Sequence, residues 1–300
     1  MESLLKWAIL NGATAGEDAP ARREGDPAPQ KLDPAIIDAI LGKPASVQMT
    51  ECMDAVESSE TPLEAREIAL DDLEMLVENI DNACNLNPLA LWPRLIALYD
   101  SPESSIRVGA LWVSGTAVQH NPKAQAAFSS HGGVQAALRV FQSDTDTAVR
   151  TKALYCLSSA IRANVHGLTE FIAYDGPAVL RQTLASGGSN AERQKTLFLL
   201  RSLINEALDT ETPEELRPGM SLPNAIAELG FADTTAAVLR ELTASDDDAA
   251  GPAVEQALHF VAALAATDSG AAAVAACAPL RAAVDAAKAR FPEADPAAQD

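Results

Sequence analysis

Apolar residues recur with helical spacing through the middle of the chain. Leu73, Leu76, Val77 and Ile80 follow one another at i, i+3, i+4 and i+7, which would place them on one face of a helix. Glycines at 132–133 and 187–188 separate later apolar segments. No run alternates with the period of two that a half-buried strand shows. The pattern therefore predicts an all-α fold.

Proline placement predicts where several helices begin, because proline is tolerated in the first helical turn. Residues 61–64 spell TPLE, a capping box formed by Thr61 and Glu64 with Pro62 at the first helical position. Further helix starts are predicted at Asn87-Pro88, Ser101-Pro102 and Asn121-Pro122.

A fourteen-residue segment recurs at an interval of 43 residues, as IRVGALWVSGTAVQ (106–119), VRTKALYCLSSAIR (149–162) and ERQKTLFLLRSLIN (192–205). We align an earlier copy at an interval of 38 residues, through Leu73 and Ile80. A period near 40 with two or three helices per unit is typical of armadillo and HEAT repeats, whose units stack because none can bury its apolar face alone. The recurring positions are Arg107, Arg150 and Arg193; Leu111, Leu154 and Leu197; Trp112, Tyr155 and Phe198; and Val118, Ile161 and Ile204.

These repeats predict the architecture and its boundaries. The fold class is an all-α, armadillo/HEAT-like, right-handed superhelical solenoid of about four repeats, with helical caps and a disordered N-terminal leader. The segments are an apolar N-terminal segment at 1–12, a flexible linker at 13–45, the armadillo repeats at 46–244, an Ala-rich helical cap at 253–290 and a tail at 291–300. The linker is assigned from its wealth of Pro, Gly, Ala and charge.

The charge balance limits the partners. With 42 acidic and 22 basic residues the net charge is -20, and such a field repels nucleic acid and anionic membranes. The four cysteines are scattered without a C-x-x-C pair, which predicts neither a disulfide framework nor a zinc site. The opening MESLLKWAILN lacks the basic start of a secretory signal, and no 18-residue apolar run occurs. We therefore predict a cytoplasmic protein.

A search for catalytic motifs finds no convincing active site. The HGG at 131–133 has no accompanying G-x-S-x-G elbow, and the SGGSN at 186–190 lacks the lysine of a phosphate loop. The acidic run at 246–248 lacks the spacing of a calcium loop. The sequence therefore predicts no enzyme, no cofactor and no metal. A hydrolase that uses His131 and Ser158 is the weakest alternative.

A polar residue directly follows the aligned apolar position in each unit. In stacked repeats such residues form a ladder along one face, and in armadillo proteins the third helix of each unit lines the concave partner groove. The alternative is that they are helix ends and hydrogen bonds between repeats. The regular Arg107, Arg150 and Arg193 are predicted to brace neighbouring units. The ladder consists of Asp81, Gln119, Arg162 and Asn205.

Four stretches resemble one known family. They are EIALDDLEMLVENIDNACNLNPLALWPRLI (67–96), GTAVQHNPKAQAAF (115–128), VRTKALYCLSSAIR and the opening MESLLKWAILN. Together they look like the fungal armadillo-type nucleotide exchange factors of the heat-shock protein 70 chaperone, whose animal counterparts are the heat-shock-protein-binding proteins. The resemblance covers about residues 1 to 205. It implies a cofactor-free monomer that clamps one lobe of the chaperone's ATPase domain, so that ADP leaves and the client is released.

The resemblance also implies which residues meet the chaperone. Ala83 would lie on the groove, and Lys195 falls where the family commonly carries Arg, so the charge is kept but the fork geometry is lost. The main alternative is a generic armadillo adaptor for extended peptides, which the change from Trp112 to Tyr155 and Phe198 disfavours. The predicted partner-binding set is Ala83, Asn82, Gln119, Asn121, Arg162, Asn164, Lys195, Arg201 and Asn205.

The apolar N-terminal segment has two interpretations. It is either a short amphipathic helix that caps the first repeat or a tethered competitor for the chaperone's client site. An apolar heptad with one Lys and one aromatic residue is the kind of peptide that such a chaperone binds. The competitor residues are Leu4, Leu5, Trp7, Ile9 and Leu10.

Overall fold

The computed structural model describes residues 43–186, 188–211, 221–245 and 248–296. The chain divides into two compact units, Met1–Val47 and Gln48–Asp300, and nearly all described residues belong to the second. The predicted apolar segment at 1–12, and all but the last residues of the predicted linker, lie outside the described ranges.

Every regular element in these ranges is helical, which confirms the predicted all-α class. The α-helices are α1 (Ala45–Glu57), α2 (Leu63–Val77), α3 (Ile80–Asn85), α4 (Leu91–Ala97), α5 (Ser104–Val118), α6 (Pro122–Ser130), α7 (Gly133–Ser143), α8 (Thr147–Ile161), α9 (Val165–Ala173), α10 (Gly176–Ala185), α11 (Asn190–Leu208), α12 (Ser221–Glu228), α13 (Phe231–Ala244), α14 (Gly251–Ala265), α15 (Asp268–Ala276) and α16 (Ala278–Arg290).

From α2 onward the helices form three-helix units that each consist of a long helix, a short helix and a third helix. The long helices α2, α5, α8, α11 and α14 pack one against the next, and α7, α10, α13 and α16 do the same. This stacking is the predicted armadillo-like arrangement. The Ala-rich segment, predicted as a cap, forms α14 to α16 and repeats the same plan, so the described ranges hold five units.

The predicted register of the first unit is wrong. Helix α2 begins and ends 41 residues before α5, and Val77 is buried as Val118 is. Ile80 is 62 % exposed and begins α3, because the Asn79 side chain accepts hydrogen bonds from the backbone N–H groups of Asp81 and Asn82 and starts a new helix there. The apolar pattern from Leu73 to Ile80 therefore crosses a break between two helices.

The predicted helix starts are partly correct. Pro122 begins α6, and the Asn121 side chain accepts from the Ala124 N–H. The capping box at 61–64 is wrong, since α2 begins after Pro62 with no side-chain cap. A capping box forms instead at Ser189 and Glu192, at the start of α11. The predicted starts at Asn87 and Ser101 precede the true ones by a few residues, because α4 begins at Leu91 and α5 at Ser104.

Two of the three recurring arginines, Arg107 and Arg150, join neighbouring units, as predicted. Arg107 Nε lies 2.8 Å from Asp144 Oδ2, and Arg150 Nε lies 2.9 Å from Glu192 Oε1. Arg193 Nη2 lies 2.7 Å from Glu241 Oε2. Arg107 and Arg150 also donate to backbone carbonyls of the loop before their own helix. Arg107 and Arg150 therefore each fix their own loop to the start of the next unit, whereas Arg193 joins two helices of one unit.

Candidate partner-binding face

The long helices place equivalent positions side by side on one surface. These helices are the groove-lining third helices of the sequence prediction when each unit is counted from its short helix. Asp71 of α2, Trp112 of α5, Tyr155 of α8 and Phe198 of α11 occupy the same place in successive units. We name the open side of these four helices the ladder face. Gly115 of α5 lies against Tyr155 and Cys156 of α8, and its missing side chain allows the two helices to approach closely.

Cations lie over the aromatic rings of the ladder face. Lys152 Nζ is 3.7 Å from the centroid of the Trp112 ring and 5.6 Å from that of Tyr155. The guanidinium carbon of Arg201 is 5.2 Å from the Phe198 centroid, and that of Arg162 is 5.9 Å away. Phe198 remains 39 % exposed. Exposed aromatic and arginine side chains are the types that most often dominate binding energy at protein interfaces.

Hydrogen bonds hold the centre of the ladder face across three helices. Thr116 donates to Glu74 Oε1 of α2 at 2.7 Å, and its hydroxyl lies 3.2 Å from that of Tyr155. The Tyr155 hydroxyl also lies 3.5 Å from Gln119 Oε1. The aromatic residue at the centre is thus oriented by polar contacts as well as by packing.

A shallow depression of about 190 Å³ lies beside Tyr155 and Phe198. Arg162 borders it and pairs with Glu206 of α11 at 2.9 Å, while a second Glu206 oxygen accepts from the Ala163 N–H. The depression is lined by Gln119, His120, Tyr155, Ser158, Ser159, Arg162 and Phe198.

The alternative hydrolase pair is not brought together. Ser158 lines the depression on α8, whereas His131 lies between α6 and α7 and its Nε2 is 3.1 Å from Asn87 Oδ1. A nucleophile and its base must lie within hydrogen-bonding reach of each other. This arrangement gives His131 no base role toward Ser158.

Three cations of the ladder face have no carboxylate partner among the described residues, although the chain carries 42 acids. These are Lys152, Lys195 and Arg201, of which Lys152 and Arg201 instead contact aromatic rings. Burial lowers the pKa of Lys152, and the neighbouring Lys195 lowers it further, against the opposing effects of Glu74 and Asp71. A cationic surface of this kind favours acidic contacts from outside the chain.

Five members of the predicted partner-binding set lie on the ladder face at least partly open to solvent. Lys195, Gln119 and Asn205 are exposed, and Arg162 and Arg201 are half-buried. The sequence prediction omitted Trp112, Lys152, Tyr155 and Phe198 from the site. The 43-residue interval between Lys152 and Lys195, and the recurring aromatic position, were the signals that could have identified them.

The other four members serve the fold. Ala83 is only 2 % exposed, so the prediction that it lies on an open groove is wrong, and Ala83→Arg would disrupt packing before it blocked docking. Asn121 is 3 % exposed and caps α6, while Asn164 caps α9 by accepting from the Gly167 N–H. The Asn82 side chain donates to the Leu76 carbonyl. These asparagines match the alternative interpretation, helix ends and local hydrogen bonds.

In the described ranges no group of three or more His, Cys, Asp or Glu residues could hold a metal ion. No individual helix in those ranges has the length and apolar composition to cross a bilayer. Helices α14 and α15 meet that criterion only as a pair, and the chain bends by 118° between them.

Two family models match the sequence in succession. One is described as nucleotide exchange factor Fes1 and matches residues 1–86. The other is described as the SIL1/FES1/HPBP1 C-terminal domain and matches residues 82–222. Together they include all four helices of the ladder face.

Curated relatives carry the same name. The Hsp70 nucleotide exchange factor fes1 of Schizosaccharomyces pombe is 49 % identical over 121 residues, which are 39 % of this chain and 42 % of that protein. The FES1 of Mycosarcoma maydis is 36 % identical over 48 % of this chain and 40 % of its own length. The FES1 of Coccidioides immitis is 37 % identical over 49 % of this chain and 70 % of its own length. The chain thus spans less than half of the first two relatives.

Solved structures with the same arrangement of helices are armadillo repeat proteins. A designed armadillo repeat protein is 12 % identical with a TM-score of 0.59, over 81 % of this chain and 99 % of that chain. A computationally designed armadillo repeat protein is 13 % identical with a TM-score of 0.58, over 82 % and 99 %. At such identity the likeness concerns the fold alone. The family models and the relatives confirm the resemblance found in the sequence: the chain belongs to the family of the nucleotide exchange factor Fes1.

Proposed function

We propose that this protein binds the ATPase domain of a cytoplasmic Hsp70 chaperone with its ladder face and accelerates the release of ADP. The observation that carries the proposal is the row of aromatic side chains, half-buried at Trp112 and Tyr155 and exposed at Phe198, beside cations that form no ion pair within the described residues. The names of the curated relatives, Hsp70 nucleotide exchange factors, support the identity of the partner.

The mechanism is a coupling between two binding events on the chaperone. ADP is held between the two lobes of the ATPase domain. A protein that binds the open form of the domain better than the closed form therefore lowers the domain's affinity for ADP. By the same linkage ADP must weaken the binding of the exchange factor to the chaperone. The arginine–carboxylate pairs between units stiffen the stack of helices. When the protein binds one lobe of the ATPase domain, that lobe therefore moves and the stack does not bend.

The proposed role needs no chemistry on the chain itself. The protein acts as a monomer, without a cofactor or metal, and is not an enzyme in its own right. Analytical ultracentrifugation of the full chain checks the monomer, and a fluorescent fusion checks the cytoplasmic location. A dimer at the concentrations that accelerate exchange would contradict the proposal that the protein acts as a monomer.

The N-terminal segment is proposed to compete for the client site of the same chaperone. Leu4, Leu5, Trp7, Ile9 and Leu10 lie outside the described residues, so this part rests on the sequence. Deletion of residues 1–12 should leave ADP release nearly unchanged and slow the release of a bound client peptide. An equal loss of both activities would refute a separate role for the segment.

A binding experiment with and without nucleotide tests the proposal. The immobilised full chain should capture purified Hsp70, and saturating ADP should reduce the amount captured. If ADP leaves the amount of captured Hsp70 unchanged, the proposed linkage between ADP and the exchange factor is contradicted. If Hsp70 is not captured while extended peptides are, the generic armadillo adaptor is the better function.

A further inference from the structure

Equivalent positions of the ladder face change charge from one unit to the next. The register is fixed by two buried rows, one containing Leu70 and Leu111 and the other Val77 and Val118. At the position of Tyr155 and Phe198 the first unit carries Asp71, and at the position of Arg162 it carries Glu78. The four units carry, in order, Ile68, Gly109, Lys152 and Lys195; Asp71, Trp112, Tyr155 and Phe198; and Glu78, Gln119, Arg162 and Asn205.

We call the α2 end of the ladder face, which carries Asp71 and Glu78, the acidic end. Asp71 lines a cavity of about 400 Å³ between α2, α5 and the start of α8. Its floor is apolar, with Leu70, Val108 and Trp112, and carboxylates of Glu67 and Asp71 stand beside it. Within the described ranges neither Glu67 nor Asp71 forms an ion pair, although Asp71 lies close enough to Lys152 to raise the pKa of that lysine. Apolar walls with adjacent carboxylates suit the aliphatic stem and charged end of a lysine or arginine side chain.

The basic end, which consists of Lys152, Lys195 and Arg201, begins at the same indole. Trp112 lines the cavity and also contacts the Lys152 ammonium at 3.7 Å. Beyond it lie Lys195 and Arg201, which no carboxylate of the described residues neutralises. The sign of the surface charge therefore changes across a single residue, and it does so in a chain of net charge -20.

We infer that the ladder face is a charge-polarised docking surface that fixes the direction in which its partner binds. The cavity at α2 and α5 receives a lysine- or arginine-bearing element, and the cations of α8 and α11 receive carboxylates of the same partner. Docking in the reverse direction places like charges opposite each other, which is strongly unfavourable. The identity of the partner, the Hsp70 ATPase domain, rests on the proposed function.

Four double variants of the full chain test the inference by affinity for purified Hsp70 over a range of salt concentrations. Asp71→Lys with Glu78→Lys reverses the acidic end, and Lys152→Glu with Lys195→Glu reverses the basic end. The matched controls make the same change of net charge away from the ladder face, on exposed residues of other helices. They are Glu228→Lys with Asp285→Lys, and Lys123→Glu with Arg281→Glu.

Both ladder-face reversals should weaken binding about tenfold or more and flatten its salt dependence, while the controls stay within about twofold of the parent. Circular dichroism melts of each variant separate lost affinity from lost folding. If either ladder-face reversal behaves like its control while the parent accelerates ADP release, the polarised surface is wrong and the exchange function stands. If the parent itself neither binds Hsp70 nor accelerates release, both are wrong.

Photo-crosslinking from the acidic end and from the basic end of the ladder face measures the direction in which Hsp70 docks. A benzoylphenylalanine in place of Met75, which is 61 % exposed on α2, should capture Hsp70 peptides of net positive charge. The same residue in place of the exposed Asn205 on α11 should capture peptides of net negative charge. The reverse assignment, or one shared peptide for both positions, overturns the inference.

Discussion

The central units and the C-terminal unit share one backbone plan but differ in the side chains that hold and cover it. Helix α8 is joined to α11 by Arg150 and Glu192, and it carries Lys152 and Tyr155 on its open side. Helix α14 takes the corresponding place in the last unit, where His259 stands at the position of Phe198. The family match ends at residue 222, before α14. The plan thus forms without the arginine–carboxylate pairs of the central units, since Arg290 of the last unit donates instead to the Thr243 and Ser245 carbonyls. The proposed binding surface, in contrast, needs side chains that the central units supply.

The largest effect is expected from breaking a charged contact between central units. Glu192 is 2 % exposed, pairs with Arg150 and closes the capping box of α11. Glu192→Ala should lower the free energy of unfolding by about 2 kcal/mol, since it removes a cap and leaves a half-buried guanidinium unpaired. Urea denaturation measures this loss.

The matched control lies in the C-terminal unit. Glu255 stands 3.8 Å from His259 on α14 and is half-exposed. Glu255→Ala should cost less than about 0.5 kcal/mol, as expected for a solvated pair. Equal losses for the two variants would remove the distinction between the units.

The ladder face itself should respond to one substitution at an exposed ring. Phe198→Ala should weaken binding to Hsp70 about tenfold, because an exposed aromatic anchor next to Arg201 is lost. His259→Ala changes the equivalent position of the C-terminal unit and should leave the affinity unchanged. Isothermal titration with the ATPase domain gives both values, and a similar loss at both positions would extend the binding surface beyond the central units.

The ion pairs between the central units should also make the free energy of unfolding depend on pH. Burial alone would raise the pKa of Asp144 and of Glu192, but hydrogen bonds from Arg107 and Arg150 outweigh it and hold both pKa values below the ordinary 3.8 and 4.5. Their stabilisation is complete above about pH 4.5 and is lost as the pH falls through the lowered folded-state values. Asp144→Asn should therefore flatten the decline in unfolding free energy below pH 4.5, and an unchanged decline would contradict this account.

The smallest effect concerns the residue before the third helix, which is left-handed in the first four units but not in the C-terminal unit, where Cys277 has a φ of -87°. Ala90 has a φ of 54° and Gly230 has a φ of 77°, so both adopt the left-handed conformation. Ala90→Gly should relieve strain and stabilise by a few tenths to about 1 kcal/mol, while Gly230→Ala should cost a similar amount. Differential scanning calorimetry of the two variants checks the opposite signs.

The sequence was informative where a pattern repeats and misleading where it does not. The 43-residue interval predicted the long helices α5, α8 and α11 and the bracing role of Arg107 and Arg150, because equivalent residues must meet in a stack of equal units. The first interval is 41 residues, and the break at Asn79 could not be seen, since Ile80 continues the apolar spacing across it. Ala83 lies in a six-residue helix, too short for periodicity to show which side is buried.

The central claim is that the ladder face accelerates nucleotide release, and stopped-flow fluorescence tests it most directly. Labelled ADP is bound to purified Hsp70 and chased with excess unlabelled ATP, with and without a stoichiometric amount of the full chain. The account predicts faster release with the parent protein and with His259→Ala, and much less acceleration with Phe198→Ala. Release at the rate of Hsp70 alone in the presence of the parent protein would contradict it.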